Sequence, residues 1–149
     1  MSTLATTPVV AGIDPRGPRF SASLTSLVLA LVLLSPPPVS LILLAVQAVV
    51  FAAGAIRGVQ RTAYAAVFRG LVRPRLAAPD ELEDPRPPRF AQGLGLAFVG
   101  VALVALLLGL TTVGLISVGL ALVAALLNAV FGLCLGCELY LILRRAIAR

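Results

Sequence analysis

Apolar residues along this chain fall into long blocks, and the few places where a block breaks are chemically specific. The block from Phe20 to Ile56 is interrupted by Ser35-Pro36-Pro37-Pro38. Proline removes a backbone donor and clashes with the preceding turn, so this block predicts two helices rather than one. A second block, Leu94 to Leu143, is too long for one crossing, and its Gly109, Thr111, Thr112, Gly114 cluster is the predicted point of reversal. Each segment approaches the roughly 20 apolar residues that a helix needs to span a hydrocarbon core. The pattern therefore predicts an all-α polytopic membrane protein with four transmembrane helices. The first, Phe20 to Leu34, is the shortest and holds Ser21, Ser23, Thr25 and Ser26, whose hydroxyls can bond back to the helix's own carbonyls.

Composition agrees with the pattern. With 60% apolar and 12% charged residues, the chain has too little polar surface to coat a water-soluble globule of 149 residues. Charge then orients the helices. Every basic residue is arginine: Arg16 and Arg19 precede the first helix, Arg57 to Arg89 fill the central segment, and Arg144, Arg145 and Arg149 follow the last helix. The two turns on the opposite side carry no charge. Basic residues near membrane ends are retained in the cytoplasm, so both termini and the central segment are expected there, in a multi-pass plasma-membrane protein. The net charge of +6 is explained by anionic lipid headgroups and topology, and nucleic acid is not expected as a partner. About twenty residues that include Asp14 precede the first apolar run, which argues against a cleavable signal peptide.

The chain also repeats itself. Asp14-Pro15-Arg16-Gly17-Pro18-Arg19-Phe20 returns as Asp84-Pro85-Arg86-Pro87-Pro88-Arg89-Phe90, each copy preceding a helical hairpin. Two crossings per half give both halves one orientation, hence a parallel repeat about an axis along the membrane normal. The expected organisation is one integral membrane domain, with repeat one at 14–73, a Pro-rich acidic linker at 74–83 and repeat two at 84–149. Asp before Pro suits a helix start, while Arg16, Arg19, Arg86 and Arg89 are placed to reach lipid phosphates or a partner. Between the halves, 57–72 reads as a continuing surface helix whose arginines cover about half its circumference. No soluble catalytic domain fits in the linker.

Candidate chemistry is concentrated at Cys134-Leu135-Gly136-Cys137, followed by Glu138 and Tyr140. These are the only two cysteines, and helical spacing puts them on one face with Glu138 one turn beyond Cys134 as a modulator. Thiolates are favoured at helix N-termini or beside cations and disfavoured in apolar surroundings. Two arrangements would activate the pair: a helix break at Gly132 and Gly136 that lets Cys137 open a new helix, or Arg57 or Arg61 placed across the pseudo-twofold axis. A cytosol-facing CxxC signals redox exchange or metal binding more often than a structural disulfide. With no histidine, a metal site needs a homodimer giving two cysteines per copy, so no metal or cofactor is expected in one chain. The alternative is packing: Gly132 and Gly136, like Gly54 and Gly58 in the second helix, form small-xxx-small pairs that let helices approach closely. Asn128 and Gln47 are intramembrane polar residues suited to interhelical hydrogen bonds.

The doubled DPRxPRF motif, the run from Glu83 to Gln92 and the segment Phe131-Gly132-Leu133-Cys134-Leu135-Gly136-Cys137-Glu138-Leu139-Tyr140 resemble a family of small actinobacterial membrane proteins. That family is catalogued only as a domain of unknown function. The resemblance covers nearly the whole chain and implies a setting near sulfurtransferase and thioredoxin-like proteins, hence sulfur metabolism. Three functional readings follow. In the first, Cys134 and Cys137 cycle between dithiol and disulfide, or accept a persulfide sulfur, with a cytoplasmic thioredoxin-like or sulfurtransferase partner. The second is a transporter for a small anion or sulfur compound, motivated by the repeat and the arginine-rich mouth. The third is a structural subunit without chemistry. Soluble-enzyme readings lack a Ser-His-Asp, phosphate-loop or paired-carboxylate constellation, so the sequence leans away from an enzyme.

Overall fold

The computed structural model describes residues 12–149; the start of the N-terminal stretch, residues 1–11, lies outside them. Six α-helices follow one another among the described residues: α1 (Arg16–Leu34), α2 (Val39–Arg57), α3 (Ala63–Val67), α4 (Arg86–Leu107), α5 (Thr111–Phe131) and α6 (Leu135–Ile147). Of these, α1, α2, α4 and α5 are long and apolar enough to cross a membrane. Both hairpin turns fall where proline and glycine predict them, at 35–38 and 108–110.

The four long helices form a ring in which α1 packs on α2 and α5, and α4 packs on α2 and α5. The first helix of each half thus rests on the second helix of the other half, so the two hairpins interlock. Leu29, Val32, Leu44, Val99, Ala102 and Val118 are buried at the centre. Small residues bring the helices together: a methyl built on Gly54 would lie 2.6 Å from the Gln92 amide oxygen, and one on Gly95 2.7 Å from the Phe51 ring. Large apolar side chains point outward instead, with Leu27, Ile42, Val49, Val101 and Ile116 all exposed. A continuous apolar belt of this kind is untenable in water and is what lipid tails contact.

One polar network crosses the interior. Gln47, fully buried in α2, donates to Thr25 Oγ1 of α1 at 3.2 Å and accepts from the Tyr64 hydroxyl of α3 at 2.7 Å. Every polar atom of this chain of contacts has a partner, as buried polar groups require. Burial raises the Tyr64 hydroxyl above its ordinary pKa.

The structure changes one sequence-based expectation and narrows another. The surface helix expected over 57–72 is broken: α2 ends at Gly58 with φ 103°, a 3₁₀ turn covers Val59–Arg61, and α3 begins after Thr62 and passes into a π-turn at Phe68–Val72. Positive φ at Gly58 ends the helix whatever the propensity of the residues beyond it. In the last apolar block the break held open at Gly132 and Gly136 occurs at Gly132 alone. Gly132, left-handed at φ 69°, stops α5, and α6 starts afresh at Leu135. This helix is strongly amphipathic, with Arg144 and Arg145 in its last turn, and it packs against α4.

Candidate functional site

The two halves share one local plan at the charged end of the ring. Asp14 accepts the Arg16 amide at 3.0 Å and pairs with its guanidinium, satisfying a free donor at the start of α1; Asp84 does the same for Arg86 at the start of α4. Hydrogen bonding from the adjacent arginine holds both carboxyls below the usual aspartate range. Arg19 then reaches across to the carbonyls of Ala129 and Val130 at the end of α5, at 3.3 and 3.1 Å. Arg89 makes the matching bonds to Ala55 and Ile56 at the end of α2, at 2.7 and 2.6 Å. A cation is favoured there because the last carbonyls of a helix lack partners and carry its negative end. Phe20 packs on Phe68 at 5.7 Å between ring centres, and Phe90 packs on Tyr140 at 5.5 Å.

These matched contacts align the halves element by element, with two fewer residues between Gly132 and Cys134 than between Gly58 and Thr62. Gly58 and Gly132 occupy the same C-terminal turn, and Thr62 and Cys134 the same N-cap. Thr62 Oγ1 accepts the amide of Ala65 at 3.1 Å; Cys134 Sγ accepts the amide of Cys137 at 3.3 Å. The CxxC of the second half therefore stands where the first half has Thr62-x-x-Ala65. Cys134 and Cys137 form a disulfide across the first turn of α6, with Cα atoms 5.2 Å apart. The helix that opens here begins at Leu135 with Cys134, not Cys137, as its N-cap, and Gly136 lies inside it. A methyl on Gly136 would come within 2.6 Å of Ala91 Cβ, so this glycine sets the closeness of α6 to α4. Among the glycines proposed for packing, Gly54 and Gly136 sit at such close approaches, whereas Gly58 and Gly132 end helices.

Arg19 is a cation beside the thiol loop: its guanidinium carbon would touch a methyl on Gly132 at 3.7 Å. The sequence pattern groups it with Arg16, Arg86 and Arg89 and points to Arg57 or Arg61 as the cation for the pair. The signal was present in the repeated motif, since both second arginines could have been matched to the helix ends of the opposite half. Glu138 is exposed in the first turn of α6, with its amide bonded to the Cys134 carbonyl at 3.0 Å.

Behind the disulfide lies a cavity of about 730 Å³ that Cys134, Cys137, Glu138 and Arg19 line at its mouth. Its deeper wall is apolar, formed by Phe51, Phe98, Leu120, Ala121, Ala124 and Ala125, and it also receives Gln92 and Asn128. The buried cluster around Leu29, Leu44 and Val118 fills the ring beyond it, toward the uncharged end. Among the described residues no group of three or more His, Cys, Asp or Glu side chains is placed to hold a metal ion.

Comparison of the chain with curated proteins and with solved structures gave no match in either. One family model matches residues 13–145, and its description reads domain of unknown function (DUF4395).

Proposed function

The chain belongs to the DUF4395 family, whose description carries no activity, and from the site itself we propose that it is a membrane-embedded thiol–disulfide exchange protein working through Cys134 and Cys137. The observation that carries this reading is the position of the pair at the N-terminus of α6. Cys134 precedes the first turn, where free amides and the positive end of the helix favour a thiolate, and the Arg19 guanidinium flanks the same loop. Packing alone does not require cysteine here, because Thr62 and Ala65 fill the equivalent positions of the first half.

The charged end of the ring carries all twelve arginines and all six acidic residues, which supports a cytoplasmic orientation for the thiol loop in the plasma membrane. Glutathione and thioredoxin keep cytosolic thiols reduced, so a disulfide on that side is one that cycles. In the proposed cycle, a thiolate of a soluble dithiol partner attacks Cys134 Sγ and releases Cys137 as a thiolate. The partner's second thiolate then attacks its own sulfur of the mixed disulfide and releases Cys134. The partner leaves oxidised and the pair is left as a dithiol. A thioredoxin-like protein is the partner chemistry that fits, and a persulfide carrier would engage the same sulfur.

Trapping tests this assignment. Exchange is reversible, so the same mixed disulfide forms when the Cys134 thiolate attacks the disulfide of an oxidised partner, and Cys137 then resolves it. With Cys137→Ser that resolution is lost, and Cys134 is expected to accumulate a reducible mixed disulfide with the oxidised form of a thioredoxin-type protein. Cys134→Ser is expected to accumulate far less. Equal trapping by both variants, or by neither, would refute the roles given to the two sulfurs.

A further inference from the structure

Resting on the thiol-exchange reading, we propose that the cavity behind the disulfide binds a lipid-soluble quinone, which takes two electrons from the Cys134–Cys137 dithiol. The two halves differ in more than their cysteines. Leu44 and Val118 are equivalent fully buried residues of α2 and α5, and Ala55 and Ile56 match Ala129 and Val130 as carbonyls held by an arginine. The same register sets Gln47, Val50 and Phe51 of the first half against Ala121, Ala124 and Ala125 of the second. Three larger side chains are replaced by methyl groups, and the cavity lies against all three alanines. The half that carries the thiol pair is thus the half that has been hollowed.

Size, polarity and place then narrow the occupant. About 730 Å³ falls within the roughly 300–1,000 Å³ of small-molecule sites. Phe51 and Phe98 put two aromatic side chains in the wall, and the apolar wall lies inside a helix ring built for lipid. The side-chain amides of Gln92 and Asn128 line this space without a hydrogen-bond partner among the described residues, although Gln47 is fully bonded. Arg19, Glu83, Asp84 and Glu138 also line the space, and among the apolar residues of its wall the carboxamide N–H groups suit carbonyl oxygens. A dithiol–disulfide couple moves two electrons and two protons, which matches a quinone and not a one-electron carrier. The step balances: the two thiols lose two electrons and two protons, the S–S bond forms, and the quinone becomes a quinol. The soluble partner's dithiol regenerates the pair, so the net reaction oxidises that dithiol and reduces the quinone.

The test uses the full chain in nanodiscs, reduced and freed of reductant, with decylubiquinone as the probe because its ring has no free position for sulfur addition. Wild type is expected to form one quinol per protein as the disulfide returns, read by quinone absorbance and by blockage of maleimide modification. Ala124→Val with Ala125→Phe, which restores the side chains of the first half, is expected to slow quinone reduction at least tenfold while exchange with a soluble dithiol stays unchanged. Asn128→Leu, which leaves the cavity open, is expected to raise the KM for quinone. Exchange with the soluble dithiol but no quinol from wild type would overturn the quinone inference alone, as would wild-type rates from both cavity variants. No exchange with a soluble dithiol at all would overturn the underlying thiol reading.

Discussion

At the scale of single residues, the most informative comparison is internal, between Thr62 and Cys134 and between Ala65 and Cys137. If the cysteines serve chemistry, the variant Cys134→Thr with Cys137→Ala adopts a solution the fold already uses. Its thermal stability in detergent is expected to stay within about 1 kcal/mol of wild type, with thiol exchange abolished; a collapse of the fold would mean that the pair is structural. Asp14 makes a different prediction. Its carboxyl is 6% exposed against 34% for Asp84, although the two make the same bonds. A carboxyl held below the ordinary aspartate range adds stability above that range and loses it as the pH falls through the lower folded value. Unfolding temperature is therefore expected to be flat from neutrality down to about pH 4 and to fall below it. Asp14→Ala, by removing a helix-start acceptor, is expected to cost about 1 kcal/mol at pH 7 and to flatten the acid limb. The repeated Asp-Pro-Arg was legible in the sequence as a helix start; which carboxyl is the more buried was not, because that depends on what packs over each copy.

At the scale of elements, two glycines decide where helices stop. Gly132 sits in the left-handed region, which asparagine also tolerates, whereas Gly58 at φ 103° and ψ 153° sits where essentially only glycine is at ease. Gly132→Asn is expected to be nearly neutral and Gly58→Asn to cost about 1–3 kcal/mol, measured as the difference in unfolding free energy. These stops also account for the two places where hydrophobic pattern misled. Leu133 to Leu143 is apolar enough to prolong α5, and 57–72 is helical enough to prolong α2. A single positive φ ends each helix, and pattern gives no information on φ. The consequence for the site is large, since a continued α5 would have placed both cysteines in mid-helix, without free amides. Gly136→Val tests the position of α6: it is expected to push this helix off Ala91 and to make the disulfide easier to reduce, while the four long helices remain folded by circular dichroism.

At the scale of the whole molecule, the halves are held to each other more than to themselves. Each first helix packs on the other half's second helix, and Arg19 and Arg89 tie the corresponding ends. Cutting the chain within 76–83 is therefore expected to leave the two pieces associated and copurifying, while either piece expressed alone is expected to be degraded or to aggregate. Separation of the pieces in mild detergent would contradict the interlocked ring. Orientation belongs to this scale as well. A membrane-impermeant maleimide is expected to modify reduced Cys134 in inside-out vesicles and not in intact cells, with a cysteine placed at Ser35 in a variant lacking both native cysteines giving the reverse. Labelling of Cys134 from outside would move the site to an oxidising compartment and remove the argument for a cycling disulfide.

The sequence by itself determined the solvent, the four apolar helices, their hairpin turns and the doubled plan, because burial in lipid acts on every residue of a helix and leaves a periodic, block-wise record. It also marked the cysteine pair as the candidate site. Only the tertiary structure decided that the first helix of one half rests on the second of the other, that Arg19 flanks the thiol loop, and that Ala121, Ala124 and Ala125 line a cavity behind the disulfide. Alanine reads the same in sequence whether it lets two helices touch or leaves a space between them. The outcome depends on the residues across from it, and those are brought there by the ring as a whole.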